Sequence, residues 1–157
     1  VPRHPQRFES VAQLIADAGF AVSRRSQWGA QPPALANAIW LGDSLGEMPL
    51  YYAMSHLALM GGSFEPLGGQ NLIESLACGT PVVTSATSAI PEVAGEGAIL
   101  VDPTDPKAIA DALLRLETDA AFRARQVAYG LDRVKQFSWE KTARHLLALY
   151  ESLGKTN

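Results

Sequence analysis

The chain has 157 residues, of which 47% are hydrophobic and 18% are charged, and its formal net charge is −3 at pH 7. These values are typical of a single globular domain with a real hydrophobic core. The negative charge argues against nucleic acid as a partner, because proteins that bind nucleic acids usually present a basic surface.

The first part of the chain predicts a helix followed by two strands. Pro5 suits the first helical turn, and Gly19 predicts the end of the helix. Val1 is expected to end a strand whose beginning is missing. Strands are predicted near residues 20–24 and 38–41, the second of them buried, with a loop at 31–36. The apolar face of the helix consists of Phe8, Val11, Leu14, Ile15 and Ala18.

Charged residues follow both of these predicted strands. Ser44 and Glu47 have the spacing of a capping box, which predicts a largely buried helix from Leu45 to Ser55. A glutamate at this position either caps the helix or contacts a ligand, and the sequence leaves both roles open. The Arg24-Arg25 pair is expected to be a plain solvated strand end rather than a contact for an anionic acceptor.

The central part of the chain predicts a strand, a glycine-rich loop, a helix and a second strand. The strands lie near 56–60 and 81–84, and Gly79 closes the helix between them. A loop of this kind presents backbone N–H groups at a helix N-terminus, where an anion is favoured. The candidate binding residues of this loop and helix are Gly68, Gly69, Gln70, Asn71 and Glu74.

Each of these candidates also has a purely structural interpretation. Gly68 and Gly69 lack side chains, so a phosphate can approach the backbone closely, but the same glycines can serve only the turn. Gln70 and Asn71 add amide groups at the first turn of the helix. Glu74 lies one turn further on, where its charge can simply interact with the helix dipole.

The last part of the chain predicts a strand near 98–101 and three helices. The first helix begins at Asp105-Pro106, runs to about residue 117 and buries Ile109, Leu113, Leu114 and Leu116. The second covers about 120–136, and Ser138 is the expected N-cap of the third, at 140–153. The side chains expected to be buried by the third helix are Leu146, Leu147, Leu149 and Tyr150.

The alternation of strands and helices predicts the fold class. We expect an α/β, Rossmann-like domain over residues 1–157, with a parallel sheet of about five strands and helices on both faces. The lone cysteine, Cys78, excludes a disulfide framework and fits a reducing compartment. No Cys/His cluster has metal-ligand spacing, and no apolar run reaches the length of a membrane span.

Three segments of the first half resemble one enzyme family. Residues 2–8, 42–48 and 61–74 together are similar to motifs of the bacterial 3-deoxy-D-manno-octulosonic acid (Kdo) transferases. These are GT-B glycosyltransferases of lipopolysaccharide synthesis. The resemblance implies the C-terminal, donor-binding domain of such an enzyme, at the cytoplasmic face of the bacterial inner membrane.

The second half resembles another GT-B branch. Residues 88–103 and the run Phe137-Ser138-Trp139 are similar to the family 4 nucleotide-diphosphosugar transferases. Ser85-Ala86-Thr87-Ser88 departs from the Kdo transferase pattern, which has a Gly-, Pro- and His-rich segment there. Natural drift accounts for this mixture, and so does a chimera spliced near residues 84–88; both interpretations stay open.

The Kdo transferase resemblance implies roles for individual residues. Arg3 pairs with the donor phosphate, unless it is only a solvated terminal arginine, and residues 68–71 cradle the same phosphate. Glu47 and Glu74 contact the sugar or the ribose hydroxyls. The general base belongs to the N-terminal acceptor domain, which is absent, so no catalytic residue is expected here and the isolated chain should be inactive.

The implied donor is CMP-Kdo and the implied acceptor is a lipid A precursor, reached through the missing domain. One alternative is the donor domain of a family 4 enzyme, with a UDP-, ADP- or GDP-sugar and another glycan acceptor. A second alternative is an engineered or non-catalytic scaffold. We expect no cofactor and no metal, and exposed apolar surface left by the missing part makes a homodimer possible.

Overall fold

A computed structural model describes residues 1–2, 4–29, 38–64 and 71–154 of the chain. The chain divides into two compact units, Val1–Tyr51 (unit 1) and Tyr52–Asn157 (unit 2). Three groups of predictions fall outside the described residues: the phosphate contact of Arg3, the loop at 31–36, and the loop residues 68–70.

Unit 1 contains a helix and a pair of parallel strands. After a short 3₁₀ turn, helix α1 covers Phe8–Asp17, and Gly19 follows it with a φ of 81°, as predicted for the helix end. Strand β1 (Ala21–Arg24) pairs in parallel with β2 (Ala38–Leu41), and Arg24 lies opposite Leu41. Helix α2, Met48–Met54, crosses the boundary between the two units.

Unit 2 contains three parallel strands in the order β3-β4-β5. These strands are Ala58–Leu59, Val82–Ser85 and Ile99–Val101. The helices of this unit are α3 (Leu72–Ala77), α4 (Ile90–Ala94), α5 (Pro106–Thr118), α6 (Ala120–Val134) and α7 (Trp139–Gly154). The predicted alternation of helices and parallel strands is therefore confirmed. Among the described residues, the five strands form sheets of two and three strands instead of one.

The core of unit 2 lies between its sheet and helix α5. Val83, Val101 and Leu116 form its buried centre, and each is less than one tenth exposed. Ile109 and Leu113 of α5 pack against this centre, as the periodicity predicts. Thr80, two residues before β4, donates a hydrogen bond of 2.6 Å to the carbonyl oxygen of Tyr52, the first residue of this unit.

Several apolar side chains predicted to be buried are exposed. In α7 the four leucine and tyrosine side chains are 50–69% exposed, and Leu114 of α5 is 61% exposed. Leu50 and Met54 of α2, Ile39 and Trp40 of β2, and Leu14 of α1 are also exposed. The prediction was wrong at these positions because periodicity shows which side chains share a face, and burial depends on what packs against that face.

The capping box predicted at Ser44 and Glu47 is also wrong. Helix α2 begins at Met48, three residues later than predicted. The Ser44 hydroxyl donates to the Glu47 carboxylate, so these two side chains bond to each other instead of to the backbone of a first helical turn. By contrast, Ser138 accepts a hydrogen bond of 3.1 Å from the backbone N–H of Lys141, which confirms it as the N-cap of α7.

Candidate functional site

In unit 1, polar residues collect where the two parallel strands end. Strand β1 ends at Arg24 and β2 ends at Leu41, and the two residues are partners in the register. The carboxyl ends of parallel strands lie at one edge of a sheet, which is where α/β proteins usually bind ligands. Arg25, Ser26 and Asp43 therefore stand at the expected edge for a site.

Asp43 is the nearly buried carboxylate of this edge, with its side chain only 3% exposed. It accepts hydrogen bonds from the Ser26 backbone N–H at 2.7 Å, from the Ser26 hydroxyl at 2.6 Å and from Arg24 Nε at 3.0 Å. Burial by itself would raise the pKa of Asp43, but the bonds from Ser26 and Arg24 outweigh it, so this pKa is below its ordinary value. Asp43 is thus held ionised between the ends of the two strands.

The two arginines are paired with carboxylates, contrary to the prediction of a plain solvated strand end. Arg24 bridges Glu9 of α1, at 2.8 Å, and Asp43, at 3.0 Å. Arg25 Nη2 lies 2.7 Å from Glu47 Oε1. These partners are 15 to 22 residues away in the sequence, so no local pattern could reveal them.

Glu47 lies in a small network of its own. Its second carboxylate oxygen accepts from the Ser44 hydroxyl and from the Tyr51 hydroxyl, the latter at 3.2 Å. The Ser44 and Tyr51 hydroxyl oxygens lie 2.5 Å apart, and with one proton each the two hydroxyls share their hydrogen bonds between each other and the carboxylate. The bond from Ser44 and the pairing with Arg25 lower the pKa of Glu47 despite partial desolvation. The carboxylate is therefore ionised and held from several sides at neutral pH.

Two tryptophans support the same edge, and sequence reasoning missed them. The Arg25 guanidinium lies 5.6 Å from the centre of the Trp28 ring. Trp28 in turn makes an edge-to-face pair with Trp40 of β2, with ring centres 4.8 Å apart. The Trp28 indole N–H donates to the Ser23 hydroxyl at 2.8 Å. The signal in the sequence was weak, because isolated tryptophans are more often core residues than site residues.

In unit 2, the described part of the predicted loop is its end at helix α3. Asn71 is exposed and caps α3, since its side-chain oxygen accepts from the Ile73 backbone N–H at 3.2 Å. Glu74 is partly buried in the first turn of α3. Their predicted contacts with a donor remain predictions. Gly68, Gly69 and Gln70, with which they were grouped, are outside the described residues.

A buried hydroxyl cluster anchors the beginning of the glycine-rich loop. Ser63 donates to the Met60 carbonyl oxygen at 2.6 Å and accepts from the Thr84 hydroxyl at 2.9 Å. It also accepts from the Ser85 backbone N–H at 3.1 Å. These bonds tie the loop to the carboxyl end of β4. Ser63 lies in the 61–74 motif and Thr84 ends a predicted strand, but neither was among the predicted site residues.

The described residues contain no group of three or more His, Cys, Asp or Glu side chains placed to hold a metal ion. Across the same ranges, no helix is both long and apolar enough to cross a membrane.

Known proteins to which this chain is similar are sugar transferases. The model of the family described as "Glycosyl transferases group 1" matches residues 8–133. The chain is 53% identical over 83 residues to a 3-deoxy-D-manno-octulosonic acid transferase of Bordetella pertussis, a match that covers 53% of this chain and 19% of that protein. It is 33% identical over 107 residues to the O-antigen chain mannosyltransferase B of Escherichia coli, covering 68% of this chain and 28% of that protein.

A solved structure shows the same fold. The C-terminal CMP-Kdo binding domain of WaaA from Acinetobacter baumannii matches with a TM-score of 0.73 and 29% identity, over 87% of this chain and 72% of that one. The chain therefore spans only 19% and 28% of the lengths of these two curated relatives, but 72% of this solved domain. The chain belongs to the group 1 glycosyl transferases and has the α/β fold of a GT-B C-terminal domain.

Proposed function

We propose that this chain is the donor-binding part of a glycosyltransferase that transfers Kdo from CMP-Kdo to a lipid A precursor. The observation that carries the proposal is the 53% identity with the Bordetella pertussis Kdo transferase. The similarity to a domain that is itself described as CMP-Kdo binding supports it. In a full-length enzyme this activity would operate at the cytoplasmic face of the bacterial inner membrane.

The donor-contacting residues proposed are those that the motifs indicate. Arg3 and the 68–70 loop are assigned to the phosphate by resemblance. Asn71 and Glu74 lie at the start of α3, next in the chain to that loop. Glu47 pairs with Arg25, the residue that follows β1, and its carboxylate is also bonded to Ser44 and Tyr51.

We assign the transfer of the sugar to the complete two-domain enzyme. Glycosyl transfer requires a donor and an acceptor held in reactive geometry, which needs surfaces from both domains of a GT-B protein. We propose that this chain binds the donor and that it does not transfer sugar alone. Turnover by the isolated chain, with donor and lipid acceptor present, would contradict this division.

A second candidate is the donor domain of an enzyme that uses a UDP-, ADP- or GDP-sugar with another glycan acceptor. The similarity to a mannosyltransferase favours it, as do residues 88–103. The family model covers residues on both sides of 84–88, which fits one continuous domain, and the splice considered there remains a hypothesis. A non-catalytic scaffold is the third candidate.

The test is a calorimetric titration of the chain with CMP, UDP, ADP and GDP. We expect selective binding of CMP, weakened by Arg3→Ala and by Asn71→Ala. Since Asn71 also caps α3, Asn71→Ser is the matched variant, because serine keeps an acceptor for the cap and loses the amide. Arg144→Ala is the charge control, because Arg144 pairs with Glu140 on the exposed face of α7.

Each outcome selects one candidate. CMP binding that both Asn71 variants weaken would support the Kdo donor and a ligand role for the amide. Preference for UDP, ADP or GDP would favour the second candidate. A folded chain that binds none of these nucleotides would support the scaffold.

A further inference from the structure

We infer that Arg25 contacts an anionic group of the sugar-nucleotide donor and that Glu47 is the positioning residue that holds Arg25 in place. This inference rests on the proposed function and adds a residue that the motifs do not indicate. It also changes the role of Glu47, for which the Kdo transferase resemblance implies direct contact with the sugar or the ribose hydroxyls. All the residues involved belong to unit 1.

The first step is the fixed direction of the Arg25 side chain. One of its terminal nitrogens lies 2.7 Å from Glu47 Oε1. Glu47 is held in turn by the Ser44 and Tyr51 hydroxyls, which bond to its other oxygen. The ring of Trp28, 5.6 Å from the guanidinium carbon, supports the group from another side. The guanidinium is therefore oriented before any ligand arrives.

The second step is the hydrogen-bonding capacity that remains. A guanidinium has five N–H donors in one plane. Within the described part of the chain, the side chain of Arg25 donates to Glu47 alone, and it is 32% exposed. Its neighbour Arg24 already donates to both Asp43 and Glu9. Arg25 therefore has N–H groups available to a ligand, and Arg24 is part of the framework.

The third step is the position of the group and the chemistry that it suits. Arg25 directly follows β1, at the edge where the carboxyl ends of β1 and β2 meet. Ligands of parallel α/β sheets bind at that edge. A planar guanidinium fork matches the paired oxygens of a phosphate or a carboxylate. CMP-Kdo carries one of each, so the ligand class is an oxyanion of the donor.

The role of Glu47 follows from its bonds. Both of its carboxylate oxygens already accept hydrogen bonds from the protein, so it acts on the donor through Arg25. Loss of this carboxylate should leave the charge of Arg25 present but allow the side chain to move. Such a positioning effect is detected by a double-mutant cycle, since a residue that acts through another adds nothing once the other is gone.

The experiment is calorimetric titration of the 157-residue chain with CMP, CMP-Kdo and uncharged cytidine, at low and at high ionic strength. The variants are Arg25→Ala, Arg25→Lys, Glu47→Gln and the double variant Glu47→Gln/Arg25→Ala. Arg144→Ala is the control for loss of one arginine. Circular dichroism melting establishes that each variant is folded, and Tyr51→Phe replaces Glu47→Gln if that variant does not fold.

We expect Arg25→Ala to weaken binding of the anionic ligand by roughly 10- to 100-fold, as for the loss of a hydrogen bond to a charged group. Cytidine binding should be unchanged, and the salt dependence of CMP binding should decrease. Arg25→Lys should retain part of the affinity, because the charge remains. The double variant should bind no more weakly than Arg25→Ala alone.

Comparison of CMP with CMP-Kdo shows whether Arg25 contacts the phosphate or the sugar carboxylate. Weaker binding of CMP assigns Arg25 to the phosphate, and a loss confined to CMP-Kdo assigns it to the sugar carboxylate. Unchanged binding of both by Arg25→Ala would overturn the inference and leave the proposed function standing. A parent chain that binds neither would overturn the proposed function and the inference with it. Additive losses in the double variant would overturn the positioning role of Glu47.

Discussion

Among single residues, Asp43 shows how a buried charge can join the ends of two strands. Its hydrogen bonds to Ser26 and Arg24 join the ends of β1 and β2. Because the pKa of Asp43 is lowered in the folded state, ionisation favours folding. That contribution is fully present above the pKa of an unfolded aspartate, about 3.9, and is lost as the pH falls through the lower folded value.

We therefore predict that Asp43→Asn lowers the free energy of unfolding by about 1–3 kcal/mol at neutral pH, since the amide cannot accept the same three bonds. The loss relative to the parent should shrink as the pH falls below about 4, where the unfolded aspartate becomes protonated, and should vanish below the lower pKa of the folded carboxylate. Urea unfolding of both proteins across this pH range measures the difference. Asp17→Asn is the control, because Asp17 is exposed. Equal destabilisation at every pH would contradict the prediction.

Arg24 and Arg25 also show that the sequence does not predict which charged residues pair. The pair was predicted to be a solvated strand end because both residues are charged and lie at the end of a short predicted strand. In the structure each arginine has a carboxylate partner from another element. Arg24 bonds to two carboxylates and belongs to the framework, whereas Arg25 bonds to one within the described ranges and is a candidate ligand contact. Because the two residues are identical and adjacent, the sequence does not show this difference.

At the level of elements, helix α5 packs against the sheet of unit 2 with one face and exposes another. Leu116 is completely buried, whereas Leu114, two positions earlier in the same helix, is 61% exposed. We predict that Leu116→Ala lowers the free energy of unfolding by about 2–5 kcal/mol, through lost burial and a cavity beside Val83 and Val101. Leu114→Ala, the matched control, should change it by about 0.5 kcal/mol or less. Chemical denaturation compares them, and similar losses would contradict the packing described.

The N-terminus of α5 offers a second test at this scale. Asp105 accepts hydrogen bonds from the backbone N–H groups of Lys107, at 2.9 Å, and Ala108, at 3.0 Å. We predict that Asp105→Ala lowers the free energy of unfolding by about 1 kcal/mol, the usual effect of removing an N-cap. Asp111→Ala is the control, because the pair that Asp111 makes with Lys107 is exposed and should contribute little. Thermal melting that shows equal effects of the two substitutions would count against the cap.

At the level of the whole molecule, α7 leaves an apolar surface exposed. Trp139 is 90% exposed and Tyr150 is 69% exposed, and Leu146 and Leu153 lie on the same face by helical spacing. The two aromatic side chains alone expose on the order of 300 Å². The largest apolar patch of a typical monomer is about 300–600 Å², and the leucines extend this one further.

We predict that the isolated chain self-associates through this face of α7. Size-exclusion chromatography at two concentrations should show a shift to larger species at the higher one. The double variant Trp139→Ser/Tyr150→Ser should reduce that shift, whereas Leu45→Ser, which removes an exposed leucine of unit 1, should not. A single monomer peak at both concentrations would rule out the homodimer.

Much of this protein was determined by local sequence alone. The alternation of helices and strands, the helix end at Gly19 and the N-cap at Ser138 were predicted and found, because each depends on residues within a few positions of one another. The motifs at 2–8, 42–48 and 61–74 also indicated the group of enzymes to which the chain belongs.

Only the tertiary structure decided which apolar faces are covered and which charges meet. Amphipathic periodicity is the same for α5 and α7, yet α5 buries Leu116 and no residue of α7 is buried. The pairing of Arg25 with Glu47 spans 22 positions and depends on how the segments after β1 and β2 approach each other. The physical reason is that burial and ion pairing are set by neighbours in space, which a short stretch of sequence does not specify.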